Sequence, residues 1–470
     1  MRKKKRGQIK KNNSSVRMLT FHSMPPLSAK HRNTLEGFSS AQIAIITEEK
    51  ACKQVVAAAG SGKTRTVIGL TRFRFESGLE RAGRFLILSF SRKACGEIRS
   101  RLPAQLHDAV EIRTFHSFCY RRLLELHPTL SRSSFRILEE EERNRFLYKI
   151  LREHPDVIGG IPFSLILKSR ETFYEYFPEL AMKTYRALHA YKRENDLLEY
   201  DDLIQILLWG LRRQESWALH MKSLYDMILV DEFQDTDPQQ LEFLLRMNSP
   251  RLMVVGDDWQ AIYSFRGATV QPFLDFKKLF PRTVLYPLTE NYRSLQPIVH
   301  GGSGIIKHSS RQIRKKVKAV RGRGPNFPVL SFALRPGEEP DFVRLIEQHD
   351  VVILTRSNFR RDLWIAAGFP ENRILTIHRS KGLEFPVVLL DVIGGWSGET
   401  FLSDEEIRIA YVGMTRAENL FCCLHRPVYP EQAMERTVFE VLFRPICRPE
   451  VRDGLSGLLE QEAQYRDHDA

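Results

Sequence analysis

The sequence predicts an α/β fold built on parallel sheets, on the strength of three observations. Short apolar runs at 54–58, 85–90, 227–230, 252–255, 351–355 and 387–392 alternate with long amphipathic stretches, the pattern of parallel strands joined by helices. A glycine-rich turn directly follows the first run and opens a helical stretch. A pair of carboxylates, Asp231 and Glu232, directly follows the third. At 470 residues the chain is long enough for several domains, each with an ample core.

Taken in order, residues 1–35 form a basic tail predicted to be disordered, with ten Lys or Arg and no acid. Residues 36–120 and 201–282 carry the first strand set. Residues 121–200 are dominated by charged helical periodicity, as in Glu139–Arg143, and show no convincing strand, so they are expected to form a helical insertion. Residues 283–440 carry the second strand set. A polar C-terminal tail is expected over 441–470, frayed from about Gly454.

Composition narrows the class. Apolar residues make up 43% and charged residues 27%, near globular averages. No apolar stretch approaches the ~20 residues that cross a bilayer, and the N-terminus lacks a signal-peptide core, which predicts a cytoplasmic or nuclear-type location. The six cysteines form no C-x-x-C pair and read as reduced core thiols. Residues 307–323 hold eight Lys or Arg without an acid, so with the tail they carry more than the whole net charge of +14. Both clusters are candidates for salt-dependent phosphate contact, with a solvated tail, a targeting address or a solvated helix face as the alternatives.

The chemistry begins at Ala57-Ala58-Ala59-Gly60-Ser61-Gly62-Lys63-Thr64, between a strand and an apolar helix. Such a loop wraps phosphate oxygens with backbone N–H groups, while Lys63 supplies charge and Thr64 a hydroxyl to Mg²⁺. The general pattern expects Gly where Ala57 stands. Asp231 at a strand end would orient the metal, and Glu232 would accept a proton from the water attacking a γ-phosphate.

Asp231-Glu232-Phe233-Gln234-Asp235-Thr236 resembles the Walker B box of the UvrD, Rep and PcrA helicases of superfamily 1, and further boxes follow in that family's order. Phe90–Ala94 resembles motif Ia, Thr114–Ser117 motif Ib, and Gly256–Ala268 motif III. Leu288–Ser294 is similar to motif IV, His378–Phe385 to motif V, and Ala410–Ala417 to motif VI. The resemblance spans roughly residues 38–425. It implies two RecA-like parallel-sheet lobes with a helical insertion in the first and ATP bound between them. Nucleotide contacts would come from Gln42, from the loop Ala58, Ala59, Gly60, Ser61, Gly62, Lys63 and Thr64, and from Arg65, Tyr292 and Glu384. The residues implied for hydrolysis are Lys63, Asp231, Glu232, Gln260, Arg293 and Arg416, with Mg²⁺ on Thr64 and Asp231. Phe90, Tyr263 and Phe265 would stack on DNA bases and His116 would touch the strand's backbone. Phe265 stands where several relatives carry Trp.

The resemblance further implies an ATP-dependent single-stranded DNA translocase and 3′–5′ helicase acting on single strands and 3′-tailed duplexes. One departure stands out: only sixteen residues, 359–374, separate Asn358 from Leu375, where full-length relatives insert a large subdomain called 2B. An alternative is therefore a DNA-stimulated ATPase that serves as the motor of a repair or anti-invader complex, for instance with a nuclease partner, and does not unwind DNA alone. A non-motor nucleic-acid-binding module is the third reading, disfavoured by the intact nucleotide residues.

Overall fold

The computed structural model describes residues 34–132, 134–159, 161–167, 170–325, 327–396 and 402–469. Residues 1–33, nearly all of the basic tail, lie outside the described residues.

Among the described residues sixteen strands occur in chain order: β1 (Cys52–Ala57), β2 (Phe85–Ser89), β3 (Val110–Thr114), β4 (Arg136–Ile137), β5 (Leu197–Leu198), β6 (Met227–Val230), β7 (Arg251–Gly256), β8 (Val284–Leu288), β9 (Glu290–Asn291), β10 (Lys318–Ala319), β11 (Val329–Ala333), β12 (Val351–Thr355), β13 (Ile374–Thr376), β14 (Phe385–Asp391), β15 (Ala417–His425) and β16 (Arg448–Glu450). Twelve of them build two six-stranded sheets, ordered β3-β2-β6-β7-β1-β8 and β13-β12-β14-β15-β11-β16, the other four form the short pairs β4-β5 and β9-β10, and every pairing is parallel. The fold is thus α/β with two parallel-sheet lobes.

Strand alternation explains why both sheets are covered on both faces. In the first lobe Val56, Leu86, Leu88, Ile228, Val230 and Val254 enter one apolar layer. Their neighbours Val55, Ile87, Met227, Leu229, Met253 and Val255 enter the other. The second lobe repeats the scheme, with Leu354, Leu390 and Cys423 on one side and Ile353, Leu389 and Cys422 on the other. Strands buried on both faces carry no polar alternation, which is why they stand out as short apolar runs in the sequence.

Four expectations are corrected. The first lobe does not end at residue 282, because β8 lies beside β1 with Val56 facing Pro287 in register. The region 121–200 does contain strand, since Arg136 and Ile137 pair with Leu197 and Leu198 and close the helical insertion at its base. Residues 441–470 are not a frayed tail: β16 joins the edge of the second sheet, and the helix Arg452–Asp469 buries Leu455 and Leu459 against that sheet's core. Only Cys119, Cys422 and Cys423 are fully buried, while Cys52, Cys95 and Cys447 are part-exposed; all six are free thiols. The helix Asn358–Ala366 leads to β13 through one short turn, Glu371–Arg373. No helix among the described residues is long and apolar enough to cross a membrane.

The lobes meet along a cleft lined by strand C-terminal ends, the edge at which open parallel sheets bind ligands. Ala59, Trp259 and Ile262 of the first lobe pack into the second lobe's core, with Trp259 edge-on to Tyr411 at 5.5 Å between ring centroids.

Candidate nucleotide site and nucleic-acid interface

The phosphate loop leaves β1 and enters the helix Lys63–Glu76. Gly60 and Gly62 both have φ in the left-handed region, 64° and 78°, where a side chain costs energy. Ala57 is the last residue of β1 and has no such φ, so the loop does not need the glycine that the general pattern places there. Gly62 caps the helix without any side-chain hydrogen bond, leaving its first N–H groups for a ligand, and the buried Ser61 hydroxyl has no partner. A buried orphan hydroxyl, an uncapped helix start and a half-buried lysine together fit a polyphosphate.

Lys63 Nζ lies 3.0 Å from Glu232 Oε1. Burial alone would lower the Lys63 pKa, yet Glu232, Asp257 and Asp231 outweigh it and hold the ammonium above the ordinary lysine value. Asp231 directly follows β6; burial, aided by the adjacent Glu232 charge, lifts its pKa well above the usual aspartate range against the pull of Lys63. Burial pushes Glu232 up too, but Lys63 and Lys381 prevail and keep it ionised. Glu232 sits at φ 53°, a left-handed conformation for a non-glycine residue, which marks a strained backbone at the site. With Thr64 at the helix start, Asp231 supplies the oxygen chemistry that suits a Mg²⁺ ion.

Across the cleft, Arg416 is 1% exposed and donates to Gln260 Oε1 at 3.0 Å and to the Leu383 carbonyl at 3.1 Å. Burial and the neighbouring Arg293 lower its pKa, although a guanidinium stays charged. Arg293 Nε is held 2.5 Å from Glu384 Oε2. Two residues expected to face different parts of the nucleotide therefore neutralise each other here, with the Glu384 side chain 53% exposed. The second lobe also grips the phosphate loop directly, because the Tyr292 N–H donates to the Gly60 carbonyl at 2.9 Å and Asn291 Nδ2 to the Ala59 carbonyl at 2.8 Å.

On the base side, Gln42 completes a capping box with Ser39 and reaches the Ser61 carbonyl at 3.5 Å. Arg65 donates to the Gly37 carbonyl and lies over the Phe38 ring. The exposed Tyr292 hydroxyl bonds Glu290 and is also paired with Ser39.

The predicted stacking rings converge. Phe90 stacks on Tyr263 with centroids 4.8 Å apart and 26° between planes, and Tyr263 meets Phe265 at 5.9 Å. Phe265 is 65% exposed and edge-on to His378 at 5.3 Å. His116 packs against the exposed ring of Tyr200, 5.6 Å away.

Several residues of the site were not singled out from sequence. Gln234 donates to Glu232 and accepts from the Asp257 N–H, an approach so close that a side chain on Gly256 would strike it at 2.5 Å. Lys381 of the second lobe pairs with Asp235 and donates to the Gln260 carbonyl at 2.9 Å while lying over the Tyr263 ring. These residues stood inside the quoted boxes, so position was their signal. Lys315 had none: it sits in the basic run 307–323, yet its side chain is 2% exposed and paired with Asp257 and Asp258. That removes it from any phosphate-binding role for the run, whereas Lys307, Arg311, Arg314, Lys316, Lys318 and Arg323 remain exposed.

The family model for the UvrD/REP helicase N-terminal domain matches residues 38–159 and 164–281, more than half of the chain. The chain belongs to the UvrD/REP helicase family. A second model, the UvrD-like helicase C-terminal domain, matches residues 372–421 and so covers β13, β14 and the Arg416 segment of this UvrD/REP member. Its relatives include a protein named as a probable DNA helicase II homologue from Mycoplasma capricolum, 28% identical over 316 residues, which are 61% of this chain and 43% of that one. The PcrA helicases of Leuconostoc citreum and Staphylococcus aureus are each 27% identical, over 57% and 65% of this chain and 39% and 46% of their own lengths. The matched segment thus spans less than half of each of these relatives.

Proposed function

We propose that this chain is an ATP-dependent single-stranded DNA translocase and 3′–5′ DNA helicase. The observation that carries the reading is one continuous loop, residues 257–266. At one end Gln260 bridges to Arg416 of the opposite lobe; at the other, Tyr263 and Phe265 form the ring row with Phe90. A change of charge in the cleft would then reach the rings proposed to stack on bases within a few residues.

Lys63, Ser61 and the loop N–H groups would hold the phosphates, with Arg293 and Arg416 placing guanidinium charge where negative charge sits during transfer. Mg²⁺ held by Thr64 and Asp231 would neutralise phosphate charge. Glu232, kept ionised by Lys63 and Lys381, would accept a proton from attacking water once Lys63 turns from it to a phosphate. Glu384 must release Arg293 before that residue can reach a phosphate, and doing so frees the carboxylate to take a ribose hydroxyl. Gln42, Arg65 and Tyr292 would enclose the base, while Phe90, Tyr263, Phe265 and His116 hold the strand. Cycles of cleft closure and opening would then move the lobes along DNA.

The short turn Glu371–Arg373 favours a second reading, because it leaves no room for a 2B-like insertion between the helix Asn358–Ala366 and β13. In that reading the chain is a motor that needs a nuclease or repair partner to separate strands. ATPase rate with and without single-stranded DNA, followed by strand release from 3′- and 5′-tailed duplexes, decides. Stimulated hydrolysis with 3′-tail unwinding supports the helicase, and stimulation without unwinding supports the motor subunit. Absence of stimulation overturns both.

A further inference from the structure

Lys315 occupies a position that none of its basic neighbours shares. Its ammonium leaves the second lobe and enters the first, where it donates to Asp257 Oδ1 at 2.5 Å, Asp258 Oδ1 at 2.8 Å and the Ala57 carbonyl at 2.9 Å. The Trp259 ring covers it, 4.4 Å from the centroid. The backbone two residues before Lys315 is pinned twice, with the Ile313 N–H on Asp258 Oδ2 at 2.6 Å and the Trp259 indole on the Ile313 carbonyl at 3.1 Å.

The consequence falls on Gln260. Asp257 divides its two oxygens: Oδ1 takes Lys315 and the Trp259 N–H, and Oδ2 takes Gln260 Nε2 at 2.6 Å. With its amide nitrogen committed to Asp257, Gln260 has only its carbonyl oxygen to offer across the cleft, and that oxygen accepts from Arg416. A rotated Asp257 would release the Gln260 amide and let it turn its nitrogen toward the guanidinium, donor against donor.

We propose that Lys315 is a positioning residue for nucleotide hydrolysis, which fixes the Gln260 amide through Asp257 and ties that setting to the end of β1, where the phosphate loop begins. Both outer members of the chain, Lys315 and Arg416, belong to the second lobe, and both inner members, Asp257 and Gln260, to the first. The relay is complete only while the lobes are together, so Gln260 is set for catalysis in the closed cleft and freed when it opens.

The inference rests on the reading of this cleft as an ATPase site. Its test uses the whole chain, with Lys315→Gln combined with Asp258→Asn so that one positive and one negative charge leave the buried cluster together. Thermal melting confirms the fold of the variant, and Lys315→Arg, which keeps the charge but changes its geometry, serves as a second variant. The expected result is a fall in the DNA-stimulated kcat of about 10- to 100-fold with KM for ATP changed less than about threefold, the signature of misplacement rather than lost binding. In a Gln260→Ala background the same substitutions should lower kcat by less than about twofold, since the residue they position is gone. Unchanged kcat in both variants, or full multiplication with Gln260→Ala, overturns the inference alone. Absence of DNA-stimulated hydrolysis in the unsubstituted chain overturns the ATPase reading and this inference with it.

Discussion

Replacing Gly60 by alanine probes the contact between phosphate loop and second lobe, and its cost has two separable parts. The first is local: φ is 64°, and a non-glycine residue in the left-handed region loses about 1–2 kcal/mol. The second is between lobes. A methyl group at Gly60 would stand 2.7 Å from Arg293 Cβ and 3.0 Å from Asn291 Nδ2. Arg293 Cβ is anchored to the main chain and cannot swing aside, so the motif IV segment must retreat. That retreat stretches the bonds from the Tyr292 N–H to Gly60 and from Asn291 to Ala59, each worth about 1 kcal/mol. The first part lowers stability whether the cleft is open or closed, so closure itself should lose about 2 kcal/mol, equivalent to a fall in kcat/KM of roughly 30-fold.

Gly78→Ala supplies the control, because Gly78 has φ 67° but nothing within 4 Å of the added methyl. Both variants should lose similar stability, with melting temperatures lower by a few degrees. Only Gly60→Ala should lose DNA-stimulated ATPase activity on the scale given. Hydrolysis by Gly60→Ala within about threefold of the unsubstituted chain would refute the claim that closure onto this loop is needed for turnover.

Glu232→Gln should bind nucleotide and DNA yet hydrolyse about 10²–10⁴-fold more slowly, as expected when a proton acceptor is lost; near-normal turnover would take that role away. Phe265→Ala should weaken single-strand binding by about 1–3 kcal/mol in a titration at fixed salt with little change in melting temperature, since the ring is 65% exposed; an unchanged Kd removes it from the strand path. Lys53 is buried and its pKa is lowered to about 7 by that burial, helped by Arg74. Folding thus expels a proton that the unfolded lysine keeps up to about pH 10.4, so this residue makes stability rise as pH increases from 7 toward 10, by at most about 1.4 kcal/mol per unit. Urea unfolding of Lys53→Met should lack that rise, and parallel pH profiles for the two proteins would contradict the assignment.

What the sequence revealed and what it hid follow from range. Strands buried on both faces announce themselves as apolar runs, and β1, β2, β6, β7, β12 and β14 were legible to within a few residues. Of those missed, β3 reads Val-Glu-Ile-Arg-Thr and β16 is the edge strand Arg-Pro-Glu, whereas β11 and β15 are buried and largely apolar and were passed over although their runs, Val-Leu-Ser-Phe-Ala and Leu-Phe-Cys-Cys-Leu, stood in the sequence. The C-terminal helix was hidden because a few leucines, among them Leu455 and Leu459, anchor an otherwise polar stretch, and their burial depends on a sheet edge made elsewhere. At the site, local motifs located the phosphate loop and both carboxylates, and the family resemblance picked out the three rings that converge. The pairing of Arg293 with Glu384, ninety-one residues apart, and the insertion of Lys315 beneath Trp259 depend on how the lobes meet, which no local spacing encodes.

The same interface bears on what keeps the lobes together before nucleotide arrives. Asp235 is 1% exposed, and its Oδ1 has no hydrogen-bond partner among the described residues. Burial lifts its pKa to about 6, with Lys381 of the other lobe pulling the opposite way. Withdrawing Lys381 would leave a buried carboxylate without its counter-ion, a change that costs about 3–5 kcal/mol unless water or a proton replaces it. Because Lys381 also covers the Tyr263 ring, opening the cleft at this pair simultaneously uncovers one of the rings proposed to hold the strand. The cleft and the ring of Tyr263 are thus joined through one side chain as well as through the loop 257–266. Asp235→Asn separates the two effects: it removes the penalty of opening while leaving every ring in place. It should lower the salt and temperature resistance of the closed form, measured by small-angle scattering, without weakening single-strand affinity in the presence of a non-hydrolysable nucleotide. Loss of strand affinity under those conditions would show that the carboxylate shapes the ring row itself, and the reading of the Lys381–Asp235 pair as a hold on the closed cleft would fall.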